Sequence, residues 1–249
     1  MALHDMHCHL DFMANAEEVA HEAHNAGSLL FANTVTPEGW QSAGERFAPY
    51  ENVVTGFGLH PWWVEADEDA TRAASLLREH QPRVIGEVGL DLSRRHSQTA
   101  SAQRAAFRAI LEWAAAKGGR LVSIHSVHAA GEALDALEST GAAESCACIF
   151  HWFTGPSDQL KRAVQMGCYF SFGPRALATG KGREYVKAVP VDRLLLETDY
   201  PPKQGDACSF GELEAELASA AEDVAAIKKT PDALEVIEET SRRLLAIGV

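Results

Sequence analysis

The sequence predicts a (β/α)8 barrel, and three observations lead to that fold. A chain of 249 residues has the length of one such barrel, which typically needs about 250 residues. Short runs rich in β-branched and aromatic residues alternate with longer stretches that carry apolar residues at helical spacing. Neither a G-x-G-x-x-G turn nor a Walker A loop is present, which weakens the competing prediction of an open, doubly wound sheet. We therefore expect one domain over residues 1–249.

The individual elements can be placed in order along the chain. Strands are predicted at residues 3–8, 29–35, 53–59, 83–88, 121–125, 146–151, 167–172 and 193–198. Helices are predicted at residues 16–27, 37–48, 66–80, 100–117, 129–139 and 157–166, near Glu184, and at residues 211–228 and 231–246. About eight strand–helix units is the number that builds a barrel whose strand ends all open on one face.

Composition and charge restrict the class of protein. With 46% hydrophobic and 23% charged residues, the chain is neither disordered nor fibrous. Its net charge of −13 excludes a basic coat for nucleic acid, so binding to a polyanion would need a locally positive site. Five cysteines without a recognisable leader predict reduced thiols and a cytoplasmic protein. No apolar run reaches the ~20 residues that cross a bilayer, so no membrane partner is expected.

The first predicted strand ends with two histidines that suit a metal site. Side chains of a strand alternate between its faces, so His7 and His9 point the same way and Cys8 points the opposite way. Two imidazoles on one face can bind a divalent cation. For this pair alone, two surface or core-edge histidines would be the simpler interpretation.

Similar residues recur where four other predicted strands end. They are Glu87 on the fourth strand, His125 on the fifth, His151 on the sixth and Asp199 after the eighth. In a barrel these positions converge on one face. Four imidazoles and two carboxylates there predict a site for two divalent cations of mixed nitrogen and oxygen ligation.

These residues lie in segments that resemble the TatD-type metal-dependent deoxyribonucleases, a family of amidohydrolase-like barrels. The matching segments are DMHCHLD, GFGLHP, IGEVGLD, SIHSVHA, IFHWFTG and LLLETDYP, which run from Asp5 to Pro201 in the family's order. The resemblance departs at Val127 and His128, where many relatives have arginine and then aspartate. The departure removes an arginine near the mouth, so it concerns contacts with the substrate more than the binding of metal.

The resemblance implies a ligand set and catalytic roles. One cation would be held by His7, His9, Glu87 and Asp199, and the second by Glu87, His125 and His151, with Glu87 bridging the two. The cations would be Mg, Mn, Zn, Fe or Ni, and they would activate water for hydrolysis.

Two carboxylates, one of them the ligand Asp199, receive further roles in the reaction. Asp199 is the candidate that orients the attacking water and accepts its proton. Glu197 would orient a histidine ligand, unless it is a buried structural carboxylate.

Substrate contacts are expected from residues near the strand ends. His60 would contact a substrate phosphate or cap the turn before Pro61, while His128 and Arg175 would reach the pocket. Trp62, Trp63 and Trp152 are candidates to stack on exposed bases, although we expect at least two of the three to be packed and partly buried.

The sequence therefore predicts a hydrolase of phosphodiester bonds that acts on DNA ends or single strands. A monomer is expected, with DNA or a nucleotide as substrate. The alternatives are a phosphoesterase or amidohydrolase of small molecules on the same barrel, and an inactive, metal-binding barrel that serves as an assembly partner.

Overall fold

The computed structural model describes residues 2–248, in which eight parallel strands form one sheet in chain order. The strands are Asp5–Cys8 (β1), Leu30–Asn33 (β2), Val53–Leu59 (β3), Val84–Asp91 (β4), Leu121–Val127 (β5), Ala147–His151 (β6), Tyr169–Phe172 (β7) and Leu194–Leu196 (β8). Backbone hydrogen bonds between β1 and the segment after β8 nearly close the ring: Asp199 N–H donates to His7 O at 2.9 Å and His9 N–H to Tyr200 O at 2.7 Å. The predicted (β/α)8 barrel is confirmed.

Helices cover the outside of the sheet and fill every connection between strands. They are Ala16–Asn25 (α1), Pro37–Phe47 (α2), Glu68–His80 (α3), Ala100–Lys117 (α4), Ala130–Thr140 (α5), Ala142–Ser145 (α6), Ser157–Gln165 (α7), Pro174–Leu177 (α8), Gly180–Ala188 (α9), Phe210–Lys228 (α10) and Ala233–Leu245 (α11). Short 3-10 helices occupy Leu10–Phe12, Pro61–Trp63, Ser97–Thr99 and Val191–Arg193. Within residues 2–248, none of these helices pairs a bilayer-spanning length with a sufficiently apolar sequence.

Local sequence explains where several helices begin. Helix α2 starts at Pro37, which has no N–H to leave unpaired, and the Thr36 hydroxyl accepts a hydrogen bond from Gly39 N–H at 3.0 Å. Helix α10 starts with a capping box, in which Ser209 and Glu212 each bind the backbone of the other.

Residues two apart on a strand point to the same face, so those that point into the barrel form successive layers along each strand. An apolar layer, the floor, fills one end of the barrel, and a polar layer lines the open end, the mouth. Leu121 packs with the floor, Ser123 lies two residues further along β5, and His125 two residues further again, at the mouth. Ile149 and His151 of β6 repeat this order. Two leucines of α11 pack in the same buried cluster as the floor, whose members include Phe31, Val54, Val84, Leu121, Ile149, Tyr169, Leu195, Leu244 and Leu245. The apolar floor supports the polar residues at the open end.

Four strands end elsewhere than the sequence predicts: β2 ends at Asn33 instead of residue 35, β5 continues to Val127 instead of ending at residue 125, and β4 and β8 also differ. Strand β4 continues to Asp91, because Gly89 does not interrupt it: a Cβ at Gly89 would lie 2.1 Å from His125 O, so its absence lets β4 and β5 approach closely. Strand β8 ends at Leu196, because Thr198 turns its amide and hydroxyl to Asp5 instead of a neighbouring strand.

Gly58 marks another close approach, between β3 and the end of β2. A Cβ at this position would lie 1.7 Å from the carbonyl oxygen of Thr34. We predict that Gly58→Ala lowers the free energy of unfolding by at least about 2 kcal/mol, since backbone must move to make room. Urea denaturation measures this difference.

The matched control is Gly44→Ala, inside α2, where a Cβ would meet nothing within 4 Å. Alanine is the better helix former by about 1 kcal/mol, so this variant should be as stable as the wild type or more stable. Equal stabilities of the two variants would contradict the packing argument at Gly58.

Candidate active site

A cavity of about 610 Å³ opens at the mouth of the barrel, where the carboxyl ends of the strands meet. Its wall contains five of the six residues expected to bind metal: His9, Glu87, His125, His151 and Asp199. The sixth, His7, is fully buried directly behind them. The structure therefore brings together side chains that are separated by up to 192 positions in the sequence (199 − 7).

Glu87 lies at the centre of this group, with a side chain that is 2% exposed. Its Oε2 atom is 3.4 Å from His7 Nε2 and 3.5 Å from His9 Nε2. Its Oε1 atom is 2.8 Å from His125 Nδ1 and 3.0 Å from His151 Nε2. Each carboxylate oxygen thus faces a different pair of imidazoles, which is the arrangement that lets one carboxylate contact two cations.

Asp199 approaches the first pair of imidazoles from the opposite side. Its Oδ1 atom lies 3.6 Å from His9 Nε2 and 3.9 Å from His7 Nε2. The residue is not part of β8; its backbone is left-handed, with φ at 58°, and its N–H donates to His7 O. A turn after β8, and not the strand itself, therefore directs Asp199 to the mouth.

His60 joins the same cluster from the end of β3. Its Nε2 atom lies 3.5 Å from Glu87 Oε1 and 3.3 Å from His125 Nδ1, and its Nδ1 atom accepts a hydrogen bond from Trp62 N–H. The predicted cap of the turn is present. His60 is not among the ligands that the sequence predicts, although its position after a strand is the same signal that singles out the other histidines.

The residues fit divalent cations on two grounds. Three sets of ligand atoms each come within 4.8 Å of one another: His7, Glu87 and His151; His7, His9 and Asp199; His60, Glu87 and His125. In addition, the Nε2 atom of His7 is buried and has no hydrogen-bond partner. A buried polar atom without a partner is costly, and this one lies between two carboxylates, where a cation would satisfy it.

Burial and neighbouring charges set the ionisation of the cluster. Burial lowers the pKa of His7 and of His60 to about 4, so both are neutral and able to ligate at neutral pH. Burial opposes ionisation of Glu87 as well, but the surrounding imidazoles hold the pKa of its carboxyl well below the usual value. Burial likewise opposes ionisation of Asp199, and hydrogen bonding to His9 together with the nearby imidazoles lowers its pKa to about 2.

Buried polar groups fix the orientation of the imidazoles. His7 Nδ1 lies 3.0 Å from Ser123 Oγ, and His9 Nδ1 lies 2.8 Å from the carbonyl oxygen of Asn33. A partner on one ring nitrogen leaves the other nitrogen free to face the centre.

Glu197 lies beside His151, on the side away from Glu87. Its Oε2 atom is 3.6 Å from His151 Nδ1 and accepts a hydrogen bond from the Ser171 hydroxyl, while Oε1 accepts from Trp152 N–H at 3.1 Å. The carboxylate is therefore held by donors from two strand ends.

Asp5 connects the two ends of the barrel sheet beneath the cluster. Its Oδ1 atom accepts from His7 N–H and from Thr198 N–H, both at 3.1 Å, and its Oδ2 atom accepts from the Thr198 hydroxyl at 2.5 Å. This fully buried carboxyl thus sets the distance between β1, which carries His7, and the turn that carries Asp199. The sequence alone does not predict this role for Asp5, because its partner Thr198 lies 193 positions away.

The structure separates the remaining candidates for substrate contact. Arg175 lines the cavity, with Nη1 3.8 Å from Asp199 Oδ2, whereas His128 is exposed and faces a neighbouring groove that also contains Lys181. The sequence predicts that at least two of the three tryptophans near the mouth are packed and partly buried, but the side chains of Trp62 and Trp63 are exposed, at 50% and 39%. They contact each other and other rings at the mouth instead of the interior.

We predict that Asp5→Ala destabilises the fold by about 3 kcal/mol or more, since three buried donors lose their acceptor. Asp5→Asn should lower the free energy of unfolding by less than half as much as Asp5→Ala. Its amide oxygen can still accept hydrogen bonds, and its amide N–H can donate to Thr198 Oγ1. Urea denaturation of the metal-free protein gives both values. An alanine variant as stable as the wild type would show that Asp5 does not join β1 to the turn.

Comparison with known proteins identifies the family. The family model described as TatD related DNase matches residues 4–246. The chain is 32% identical to the 3'-5' ssDNA/RNA exonuclease TatD of Klebsiella pneumoniae, over 76% of this chain and 73% of that protein. It is 28% identical to the human deoxyribonuclease TATDN3, over 81% of this chain and 78% of that protein.

A solved structure supports the fold independently of sequence. The TatD homologue YjjV from Escherichia coli K12 superimposes with a TM-score of 0.77 at 22% identity, covering 99% of this chain and 96% of its own. Because the family model spans nearly all of the sequence, this chain belongs to the TatD related DNase family.

Proposed function

We propose that this protein is a metal-dependent deoxyribonuclease that hydrolyses phosphodiester bonds at DNA ends or in single strands. The observation that carries the proposal is the position of Glu87 at the inner end of an open cavity. Its two carboxylate oxygens face separate pairs of imidazoles. The family and the names of its relatives, a deoxyribonuclease and an ssDNA/RNA exonuclease, support the same activity.

Two divalent cations are the proposed cofactors, chosen from Mg, Mn, Zn, Fe and Ni. His7, His9, Glu87 and Asp199 would hold one of them. Glu87, His125 and His151 would hold the other, with His60 close enough to contribute. Bound there, such cations would stabilise negative charge in the transition state and lower the pKa of water toward ~7.

The chain's own groups have distinct tasks in the proposed reaction. Asp199 stays ionised and lies at the mouth, so it can accept a hydrogen bond from the attacking water, orient it and take its proton. Glu197 lies 3.6 Å from His151 Nδ1, where its carboxylate would favour the ring orientation in which Nε2 faces Glu87. Arg175, beside Asp199 and 43% exposed, is placed to bind a substrate phosphate.

A locally positive site would reconcile this substrate with a net charge of −13. Bound divalent cations, together with Arg175 and Lys203 on the cavity wall, supply positive charge at the one place where phosphate must bind. The acidic remainder of the surface disfavours binding along a duplex, which is why ends and single strands are the proposed substrates. We also propose that the protein is a monomer and that it is cytoplasmic. The cytoplasmic location is proposed because its five cysteines are free.

Metal binding can be measured without activity. We predict that a divalent cation at about 100 times its dissociation constant raises the Tm of the wild type by about 5–10 °C, because it binds only the folded state. His7→Ala should lose most of this shift, whereas His24→Ala, an exposed residue of α1, should retain it. Two metal ions per chain are expected by elemental analysis; an unchanged shift in His7→Ala would contradict the assigned ligands.

The nuclease activity is tested on substrates of the same sequence that differ in form. We expect labelled linear single strands to be degraded fastest, blunt duplexes more slowly and closed circles least. Asp199→Ala should reduce kcat at least about 100-fold, since it removes a group that acts on the attacking water. Preferred cleavage of circles, or turnover of simple phosphate esters without turnover of DNA, would contradict the proposal.

The phosphate contact has a matched control in the same assay. Arg175→Ala should raise KM about tenfold, the effect expected from losing one charge-assisted hydrogen bond to phosphate. Arg183→Ala should leave KM unchanged: its side chain is equally exposed, at 43%, but it pairs with Asp223 on the outer helices. Equal effects of the two variants would remove Arg175 from the substrate site.

A further inference from the structure

Two neighbouring tryptophans project from the mouth of the cavity into solvent. Trp62 and Trp63 are 50% and 39% exposed, and within residues 2–248 no other large hydrophobic side chain is classed as exposed. Both belong to the short 3-10 helix after β3, and both line the cavity that holds Glu87. Exposed indoles beside a catalytic centre are available to a ligand, not to the core.

Trp62 is held rigidly in spite of its exposure. Its indole N–H donates to Asp91 Oδ2 at 2.6 Å, and Asp91 is buried and also accepts from Ser93 N–H at 2.9 Å. One face of the indole is stacked on the ring of His96, with the centroids 5.0 Å apart and the planes 9° from parallel. The Gln103 amide donates to His96 O at 3.0 Å and so fixes the loop that carries this ring.

Trp63 contacts both Trp62 and Phe12, which belongs to the 3-10 helix after β1. Its ring lies 6.3 Å from that of Trp62, with the planes only 19° from parallel, and 6.4 Å from Phe12. The His60 ring stands nearly perpendicular to both indoles, at 5.1 Å and 5.4 Å. We refer to Trp62, Trp63 and His96 as the aromatic platform.

The aromatic platform lies close to the candidate metal centre. The Trp62 ring lies 6.2 Å from the ring of His125, which in turn contacts Glu87. A base attached to the nucleotide whose phosphate sits at the centre therefore comes to the level of the indoles. Arg94 and Arg95, both exposed, directly precede His96 and add positive charge suited to a phosphate backbone.

We propose that the aromatic platform stacks an unpaired nucleobase next to the bond being cleaved, which makes it the part of the site that selects single-stranded nucleic acid. This inference rests on the proposed function and adds to it the recognition of the base. Rigid aromatic faces bind bases of any sequence, because every base has a π face. A base inside a duplex has both faces covered by its neighbours, so it has none to offer.

The experiment compares variants that keep or remove the aromatic face. Trp62→Leu and Trp63→Leu remove it, whereas Trp62→Phe keeps a smaller aromatic ring and loses the N–H that binds Asp91. Each is assayed on oligo(dT) and on an oligonucleotide of equal length with abasic residues throughout, which has the same phosphates and no bases.

For oligo(dT), we expect the leucine variants to raise KM by about 5- to 150-fold, the range of one base–aromatic stack. The phenylalanine variant should stay within a few-fold of the wild type, and KM for the abasic strand should not change. Equal losses on both substrates, or a phenylalanine variant as impaired as the leucine one, would assign Trp62 a structural role and overturn the proposal.

A binding measurement separates this inference from the proposed function. Quenching of tryptophan fluorescence by an oligo(dT) with hydrolysis-resistant phosphorothioate linkages, measured with the divalent cation bound, should be lost in the leucine variants and retained in Trp113→Phe, which alters a buried tryptophan on α4. Hydrolysis with unchanged quenching and KM in the leucine variants would overturn the platform and leave the nuclease. Quenching that depends on Trp62 in a protein that hydrolyses no DNA would leave the platform and overturn the nuclease. The absence of both would overturn both.

Discussion

The carboxylate of Glu87 is buried at the bottom of the mouth, and a charge in that position is tolerated only if it is surrounded by groups that compensate it. Imidazoles from the ends of β1, β5 and β6, and from the turn after β3, provide that compensation. The same arrangement gives the site its chemistry, because the histidines that stabilise the carboxylate are also the ligands a cation would share with it. The barrel is the scaffold that brings these strand ends to one point.

The floor and the closure of the barrel serve this arrangement. The apolar layer with α11 fills the lower interior, so the polar side chains are raised to the open end instead of being dispersed. The ring is joined between β1 and β8 through Asp5 and Thr198 and through backbone bonds of His7 and His9. Thus the contact that completes the fold is also the contact that places Asp199 opposite the first two histidines.

The mouth combines two kinds of recognition at short range. The centre around Glu87 suits phosphate once cations are bound, and it requires no positive surface elsewhere on a protein with a net charge of −13. The half-exposed indoles a few ångströms away offer flat apolar faces that suit a base. A nucleotide carries both features at a similar spacing, which links the unusual exposure of Trp62 to the proposed substrate.

The amino-acid sequence is sufficient to predict the barrel and the residue types at its strand ends, because strand periodicity and the order of strands and helices are local properties. It indicated the family for the same reason, through short segments in a constant order. The three-dimensional structure was needed to show that a turn carries Asp199, that His60 joins Glu87 and His125, and that Asp5 binds Thr198 across 193 positions. It also decided that Trp62 faces solvent. Contacts between distant residues and the exposure of a side chain depend on which strands become neighbours, and no local pattern encodes that.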